Sequence, residues 1–211
     1  MSIRILIVDD DQINSRILSQ RLKKRGFAVT CVESGKECLE TLLNDTPDLI
    51  MLDIVMPEMT GMQVLQYVRT VYSSIDIPII MATSKDDVTD IVDSLKLGAN
   101  DYLQKPVNID IAEARINAQI NAVRNYRDAM EKKEVESINN LIATYNHEIN
   151  NPLTIAFGLV RKAKKEESLE YFDRIQDALK RVSNIVKEIE RITAHTEEQV
   201  DHDKTRKIRI G

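Results

Sequence analysis

Short runs of consecutive apolar residues alternate with stretches of helical apolar spacing through the first half of the chain. The runs predict strands that are buried on both faces, and the spaced stretches predict amphipathic helices. Glycine and proline are concentrated in the same half and separate these short elements. The predicted strands are Ile3–Val8, Phe27–Val32, Asp48–Leu52, Ile77–Ala82 and Asp101–Leu103, and the predicted helices between them are Gln12–Lys24, Lys36–Leu43, Gly61–Tyr72 and Asp86–Leu97.

This alternation, completed by a helix after Pro106, predicts an α/β fold of the (βα)5 type, the flavodoxin-like doubly wound parallel sheet. In such sheets ligands bind at the carboxyl ends of the strands. On the first helix, the spacing places Ile13, Ile17, Leu18 and Leu22 on one face.

The second half of the chain has a different pattern, with apolar residues at helical spacing and few helix breakers. From Ile109 onward no linker signal appears, so we expect the last helix of the first domain to continue into the next module. The Lys/Glu cluster Arg161–Glu167 predicts a turn, and Leu169–Thr196 predicts a second helix with a heptad-like apolar stripe. We expect the charged tail from Glu197 to be frayed.

A helical hairpin with one apolar stripe per helix cannot bury those stripes alone. We therefore expect two chains to join their all-α hairpins into a dimeric four-helix bundle. The predicted organisation is a first domain over residues 1–124, the hairpin over residues 125–198 and a charged tail over residues 199–211, with homodimer contacts within residues 110–196.

Composition and charge argue against several classes of protein. The 211 residues suffice for one ordinary domain and a smaller module. A net charge of -5, with no helix-turn-helix pattern or basic patch, argues against DNA binding. No apolar stretch approaches the ~20 residues of a membrane helix, and the N-terminus does not resemble a signal peptide. With only two cysteines, we expect a cytoplasmic protein that does not bind membranes.

Acidic residues follow two of the predicted strands. Asp9 and Asp10 end the first strand, and Asp53 ends the third. The carboxyl ends of parallel strands share one edge of the sheet, so these carboxylates should converge there and require a cation. Oxygen ligands of this kind suit Mg²⁺. Asp11 is more simply explained as a cap of the first helix.

The same edge of the sheet has the groups needed for phosphoryl chemistry. A carboxylate such as that of Asp53 can attack phosphorus and form an aspartyl phosphate. Thr83 ends the fourth strand and Lys105 follows the fifth. Their hydroxyl and ammonium groups would hold the phosphoryl oxygens.

The segments ILIVDD, LDIVMP, IIMATS and GANDYLQKP, together with Gly61, resemble the motifs of response-regulator receiver domains over about residues 1–125. The resemblance implies a phosphoacceptor, a Mg²⁺ site and groups that contact the phosphoryl group. The implied residues are Asp53 as phosphoacceptor, Asp10 and Asp53 as Mg²⁺ ligands, Asp9 acting through a bound water, Val55 with its main-chain carbonyl, and Thr83 and Lys105 as phosphoryl contacts.

The resemblance also implies that Lys105–Pro106 is a cis peptide and that Tyr102 is a switch aromatic. When Thr83 moves toward a phosphoryl group, the ring of Tyr102 would turn inward into the vacated space. The alternative is a half-buried tyrosine that only packs. Because the last helix is expected to continue into the hairpin, such a switch would act mechanically on the second module.

His147 lies in the segment HEINNPL of the first hairpin helix. An exposed imidazole can accept a phosphoryl group, and Glu148 can hold the proton of the other ring nitrogen or act as a base. The segment resembles the H-box of histidine-kinase dimerisation and histidine-phosphotransfer domains, and the resemblance covers about residues 125–198. It implies that Asn151 aligns a hydrolytic water. The alternative is a surface histidine without chemistry.

No glycine-rich ATP-binding domain follows His147, so we expect no ATP-dependent kinase activity from this chain alone. The leading hypothesis is a two-component phosphorelay protein. A histidine kinase or phosphotransferase phosphorylates Asp53, and His147 exchanges phosphoryl groups with Asp53 or with the receiver domain of another response regulator. Histidine phosphotransferase or phosphatase activity stays open. The alternatives are a switch whose bundle serves only as a docking output, and a fragment of a hybrid histidine kinase.

Overall fold

The computed structural model describes residues 2–84, 88–166 and 171–208. The chain divides into two compact units, Met1–Met130 and Glu131–Gly211. The strands are β1 (Arg4–Val8), β2 (Ala28–Val32), β3 (Leu49–Asp53), β4 (Ile79–Thr83) and β5 (Asp101–Gln104). The helices are α1 (Gln12–Lys24), α2 (Gly35–Asn44), α3 (Gly61–Val71), α4 (Val88–Lys96), α5 (Ile109–Glu166) and α6 (Phe172–Ile208).

The five strands form one parallel sheet in the order β2-β1-β3-β4-β5. This confirms the predicted flavodoxin-like α/β fold, and the bounds of the strands differ from the predicted ones by about one or two residues. The predicted start of α4 at Asp86 lies outside the described residues. Because β1 lies between β2 and β3, the strand order reverses at this point, where such sheets bind ligands.

Two apolar clusters cover the two faces of the sheet. On β1, Leu6 and Val8 belong to one cluster, whereas Ile5 and Ile7 belong to the other. The first cluster includes residues of α2 and α3, and the second includes residues of α1 and Ile116 of α5. Burial on both faces explains why the central strands are continuous apolar runs rather than alternating sequences.

The buried face of α1 differs from the predicted one. Of the apolar face predicted for this helix, Leu22 is buried and Leu18 partly buried, whereas Ile13 and Ile17 are 72% and 45% exposed. The buried residues of the helix are Ser15, Ser19 and Leu22. Serines fit here because their small side chains let the helix approach β2, where the Cys31 thiol donates to the Ser15 carbonyl at 3.8 Å.

The second unit contains most of α5 together with α6, consistent with the expected helical hairpin. Arg161–Glu166 belongs to α5, so the turn predicted there was wrong over those residues, and Glu167 lies outside the described residues. Helix α6 extends to Ile208, whereas we expected a frayed tail from Glu197. The sequence has no proline or glycine between Gly158 and Gly211 that would end a helix in this stretch.

Apolar residues of the hairpin helices are divided between covered and exposed positions. Pro152, Ala156 and Leu159 of α5 are buried at steps of four and three residues. On α6, the predicted apolar stripe separates into two sets, and its start at Leu169 lies outside the described residues. Ile175, Val182, Ile185 and Ile189 are partly buried, whereas Phe172 and Leu179 are exposed. Val186, which is outside the predicted stripe, is also exposed.

A search of the described residues finds no helix with the length and apolar character needed to cross a membrane.

Candidate functional site

The acidic residues predicted at the strand ends meet at the carboxyl edge of β1 and β3. In the register of these strands, Val8 lies opposite Leu52, so Asp9 and Asp53 follow at the same level. Carboxylate oxygens of Asp9, Asp10 and Asp53 lie within 4.8 Å of one another. Asp9 and Asp53 are only 6% and 7% exposed, whereas Asp10 is exposed. The cluster therefore has one open side.

Lys105 joins the two buried carboxylates. Its Nζ donates to Asp53 Oδ2 at 2.7 Å and to Asp9 Oδ2 at 2.8 Å. The residue directly follows β5, and its backbone N–H donates to the Thr83 carbonyl at 2.8 Å. The Lys105–Pro106 peptide is cis, as the family resemblance implied. The lysine thus reaches from the fifth strand to the ends of the first and third.

Burial and ion pairing shift the pKa values of Asp53 and Lys105 in opposite directions. Burial raises the pKa of Asp53, although the hydrogen bonds from Lys105 and from the Val55 backbone N–H work against that shift. Burial also acts to lower the pKa of Lys105, but its hydrogen bonds to Asp53 and Asp9 outweigh this and the pKa is raised. The ammonium therefore stays charged at neutral pH.

The carboxylates fit a hard divalent cation. The cluster has three carboxylates, and the ammonium of Lys105 pairs with two of them, so negative charge exceeds positive charge in the cluster. Mg²⁺ prefers oxygen ligands and retains several waters, which the exposed side at Asp10 can admit. Receiver domains bind Mg²⁺ at an acidic pocket, and this chain has such a cluster of aspartates.

The backbone around Asp53 is held by close packing. The Ile54 carbonyl accepts a hydrogen bond from the Gly61 N–H at 2.9 Å. A Cβ at Gly61 would lie 1.9 Å from the main-chain oxygen of Asp53, so only glycine fits. A capping box between Thr60 and Gln63 then starts α3. Val55, two residues after Asp53, is exposed.

Asp11 lies beside the cluster but caps α1, as predicted. Its side chain accepts hydrogen bonds from the backbone N–H groups of Ile13 and Asn14. Its own N–H donates to Asp9 Oδ1 at 3.0 Å, which orients that carboxylate.

Thr83 and Tyr102 lie on neighbouring strands near the cluster. Thr83 is buried, and its Oγ1 donates to the Ser84 carbonyl at 3.2 Å. Tyr102 is partly buried and packs against the apolar cluster that contains Leu6 and Val8. The guanidinium of Arg115 lies over the Tyr102 ring, 5.0 Å from its centre. Sequence reasoning missed the contacts of Arg115 with β5. Its ion-pair partner Asp101 lies 14 positions earlier in the chain, and no spacing rule relates a helix residue to a strand residue at that separation.

The second predicted site lies on α5 in the second unit. His147, Glu148 and Asn151 are all exposed, whereas Tyr145 and Ile149, two residues before and two residues after His147, are partly buried. Pro152 lies inside the helix and is buried. The imidazole of His147 therefore lies on the exposed side of a helix that is partly buried at Tyr145 and Ile149.

A doubly wound sheet with an acidic cluster and a lysine after its last strand is the architecture of a phospho-accepting signalling domain. The family model for the response regulator receiver domain matches residues 5–117, and the model for the His Kinase A (phospho-acceptor) domain matches residues 137–196. The chain belongs to the response regulator receiver family, with a His Kinase A domain following the receiver domain.

Curated relatives and solved structures resemble the first unit. The response regulator MprA of Mycobacterium ulcerans (strain Agy99) is 38% identical over 118 residues, which are 56% of this chain and 50% of that protein. The corresponding protein of Mycolicibacterium vanbaalenii is 36% identical over 118 residues, with the same coverage. The chain thus spans about half the length of the curated relatives it matches.

Among solved structures, a receiver domain protein from Methanospirillum hungatei superposes with a TM-score of 0.56 at 28% identity, covering 60% of this chain and 99% of that one. A two-component response regulator from Clostridium difficile gives a TM-score of 0.53 at 28% identity, covering 57% of this chain and 97% of that one. Together with the two family matches, these relatives support a role in two-component signalling.

Proposed function

We propose that this two-component protein accepts a phosphoryl group on Asp53 and uses His147 as a second phosphoacceptor in a phosphorelay. The observation that carries the proposal is that one chain contains both a buried, lysine-bound aspartate in a receiver domain and an exposed histidine in a His Kinase A domain. A histidine kinase or phosphotransferase is the upstream donor, and the receiver domain of another response regulator is a downstream partner. The proposed location is the cytoplasm.

At the first site, a carboxylate oxygen of Asp53 attacks phosphorus, and the bond from phosphorus to the donor's leaving group breaks. Lys105 moves its hydrogen bonds from the carboxylate to a phosphoryl oxygen, and the Thr83 hydroxyl turns from the Ser84 carbonyl to another. Asp9, Asp10, Asp53 and the main-chain carbonyl of Val55 would hold Mg²⁺, whose charge offsets that of the phosphoryl oxygens.

At the second site, one imidazole nitrogen of His147 attacks the phosphorus of an aspartyl phosphate, and the bond from phosphorus to the aspartate oxygen breaks to release the carboxylate. Glu148, the next residue, would hold the proton of the other nitrogen and so favour the reactive tautomer. Transfer between a histidine nitrogen and an aspartate oxygen needs only in-line approach of the two groups. The exposure of His147 permits the approach of a receiver domain.

The exposed residues Phe172, Leu179 and Val186 lie seven positions apart on α6. Residues at this spacing form one face of a helix and pack together in coiled coils. We propose that a second copy of the chain covers this face, giving a homodimeric four-helix bundle within residues 110–196.

The first test uses the full chain, a radiolabelled small acyl-phosphate donor and Mg²⁺. We expect base-labile label on the wild-type protein, and a loss of at least about a hundredfold in Asp53→Asn or after chelation of Mg²⁺. The matched control is His147→Gln, which should take up label at Asp53 as the wild type does. Undiminished base-labile labelling of Asp53→Asn would exclude Asp53 as the acceptor.

A second test concerns hydrolysis. Asn151 is one helical turn beyond Glu148, which suits a residue that aligns a water near His147. We expect Asn151→Ala to slow the dephosphorylation of a partner receiver about tenfold or more while sparing transfer to His147. Asn150→Ala, an exposed neighbour, is the control. Equal hydrolysis rates for the two variants would remove this role from Asn151.

A further inference from the structure

A contact network joins Tyr102 on β5 to helix α5. Asp101 Oδ1 accepts a hydrogen bond from the Tyr102 backbone N–H at 2.8 Å and also pairs with Arg115 Nη1. The Arg115 guanidinium in turn lies 5.0 Å from the centre of the Tyr102 ring. A cation within about 6 Å of a tyrosine ring centre is attracted to the ring face. The ring is thus held by a group that Asp101 itself positions.

This network crosses the edge of the sheet. Tyr102 packs against the cluster on one face, whereas Ala112 and Ile116 of α5 belong to the cluster on the other face. Strand β5 is the edge strand, so the Arg115 side chain can pass around it. Because Ala112 and Ile116 are fully buried, the backbone of α5 beside Arg115 is fixed against the sheet. The Arg115 side chain therefore links the Tyr102 ring to a buried segment of α5.

We propose that Arg115 is the positioning residue through which the state of Tyr102 is communicated to α5, an inference that rests on the proposed phosphorylation of Asp53. Arg115 stabilises the ring position found here, in which Thr83 donates to Ser84. When Thr83 turns to a phosphoryl group and Tyr102 follows it inward, Arg115 loses the ring and its hold on that side of α5 is released. Helix α5 also carries His147.

Thermodynamic linkage predicts the sign of the effect of removing Arg115. If Arg115 favours the unphosphorylated arrangement, its removal must favour the phosphorylated one, and affinity for a phosphoryl analogue must rise by the same factor. The cation–π contact, which exists in only one of the two arrangements, corresponds to about a threefold to tenfold change.

The test measures Mg²⁺-dependent binding of beryllium fluoride, a phosphoryl analogue, to the full chain. We expect Arg115→Met to bind about threefold to tenfold more tightly than the wild type, and Arg115→Lys to fall between them. The matched control is Arg25→Met. Arg25 pairs with Asp110 and Glu113 on the same helix but is on α1's C-terminal end, away from the Tyr102 contact. Its removal should leave the affinity within about twofold of the wild type.

A second readout follows the ring itself. With ring-labelled tyrosine, the Tyr102 resonance is assigned from Tyr102→Phe in the full chain. Without beryllium fluoride, Arg115→Met should shift this resonance toward its position in the bound wild type, and Arg25→Met should not. Thermal melting of each variant shows that it is folded.

Unchanged or weaker binding by folded Arg115→Met, while the wild type responds normally, would overturn the role of Arg115 and leave the proposed function standing. An equal gain in Arg25→Met would also overturn it, because any loss of α5 docking would then suffice. The wild type should bind beryllium fluoride only with Mg²⁺, and Asp53→Asn should abolish this binding. If either result fails, both proposals are contradicted.

Discussion

The two units of this protein place their proposed phosphoacceptors in opposite environments. In the receiver unit, Asp53 is almost fully buried and hydrogen-bonded to Lys105, and the backbone beside it admits no side chain at Gly61. In the second unit, His147 is exposed, and so are apolar residues such as Leu179 on the neighbouring helix. The receiver site is organised within one chain, whereas the histidine region presents surfaces that suit other protein molecules. Each prediction below tests one side of this contrast.

The largest effect is expected from a single methyl group placed in each unit. Gly61→Ala would bring a Cβ to 1.9 Å from the Asp53 main-chain oxygen, and we expect it to destabilise the receiver unit by about 3 kcal/mol. At Gly158 of α5, an added Cβ meets no described atom within 4 Å. Because alanine favours helix over glycine, Gly158→Ala should stabilise by up to about 1 kcal/mol. Thermal and denaturant unfolding measure both changes.

Similar stability losses for the two variants would mean that packing around Asp53 is no tighter than that on α5. A receiver unit that tolerates Gly61→Ala would contradict the close approach of α3 to Asp53.

The next effect concerns the exposed apolar residues. Leu179 is 50% exposed on α6, and we expect Leu179→Glu to raise the dimer dissociation constant at least about tenfold by placing a charge in the bundle interface. The control is Ile13→Glu on the receiver unit, where Ile13 is more exposed but lies outside the proposed interface. Sedimentation velocity over a concentration series measures both. A monomeric wild type, or equal dissociation by both variants, would refute the proposed four-helix bundle.

The smallest expected effect is the difference in stability loss between alanine substitutions at two threonines, Thr60 and Thr154. Thr60 caps α3 and accepts a hydrogen bond from the Gln63 N–H at 3.3 Å. Its replacement by alanine should cost about 1 kcal/mol. Thr154 lies within α5, where its Oγ1 donates to the Asn150 carbonyl at 2.8 Å. Thr154→Ala should change stability by less than about 0.5 kcal/mol, because alanine propagates a helix at least as well. Urea unfolding distinguishes the two, and equal losses would contradict the importance of the cap.

Much of the receiver unit could be predicted from sequence because its signals are local. Continuous apolar runs predict the strands, and the parallel arrangement then brings Asp9, Asp10 and Asp53 to one edge. The cis peptide at Pro106 followed from the family motif.

The errors arose where tertiary packing decides the outcome. On α1, the spacing of Ile13 and Ile17 is as regular as that of Ser15 and Ser19, and only the approach of the helix to β2 selects the serines. The turn at Arg161 was predicted from a cluster of charged residues. Lysine and glutamate have high helix propensity, so such a cluster can equally be the exposed part of a continuous helix. The Arg115–Tyr102 contact crosses the sheet edge, and no periodicity in the sequence reports it.

The most direct test of the relay is a chase of label from Asp53 in the purified full chain. Protein labelled from a small acyl-phosphate donor is freed of donor and sampled with time, alone and with added response-regulator receiver domains. We predict that base-labile label on Asp53 declines while base-stable, acid-labile phosphohistidine appears, and that His147→Gln never forms it. Loss of all label as inorganic phosphate, with no phosphohistidine under either condition, would contradict a relay through His147.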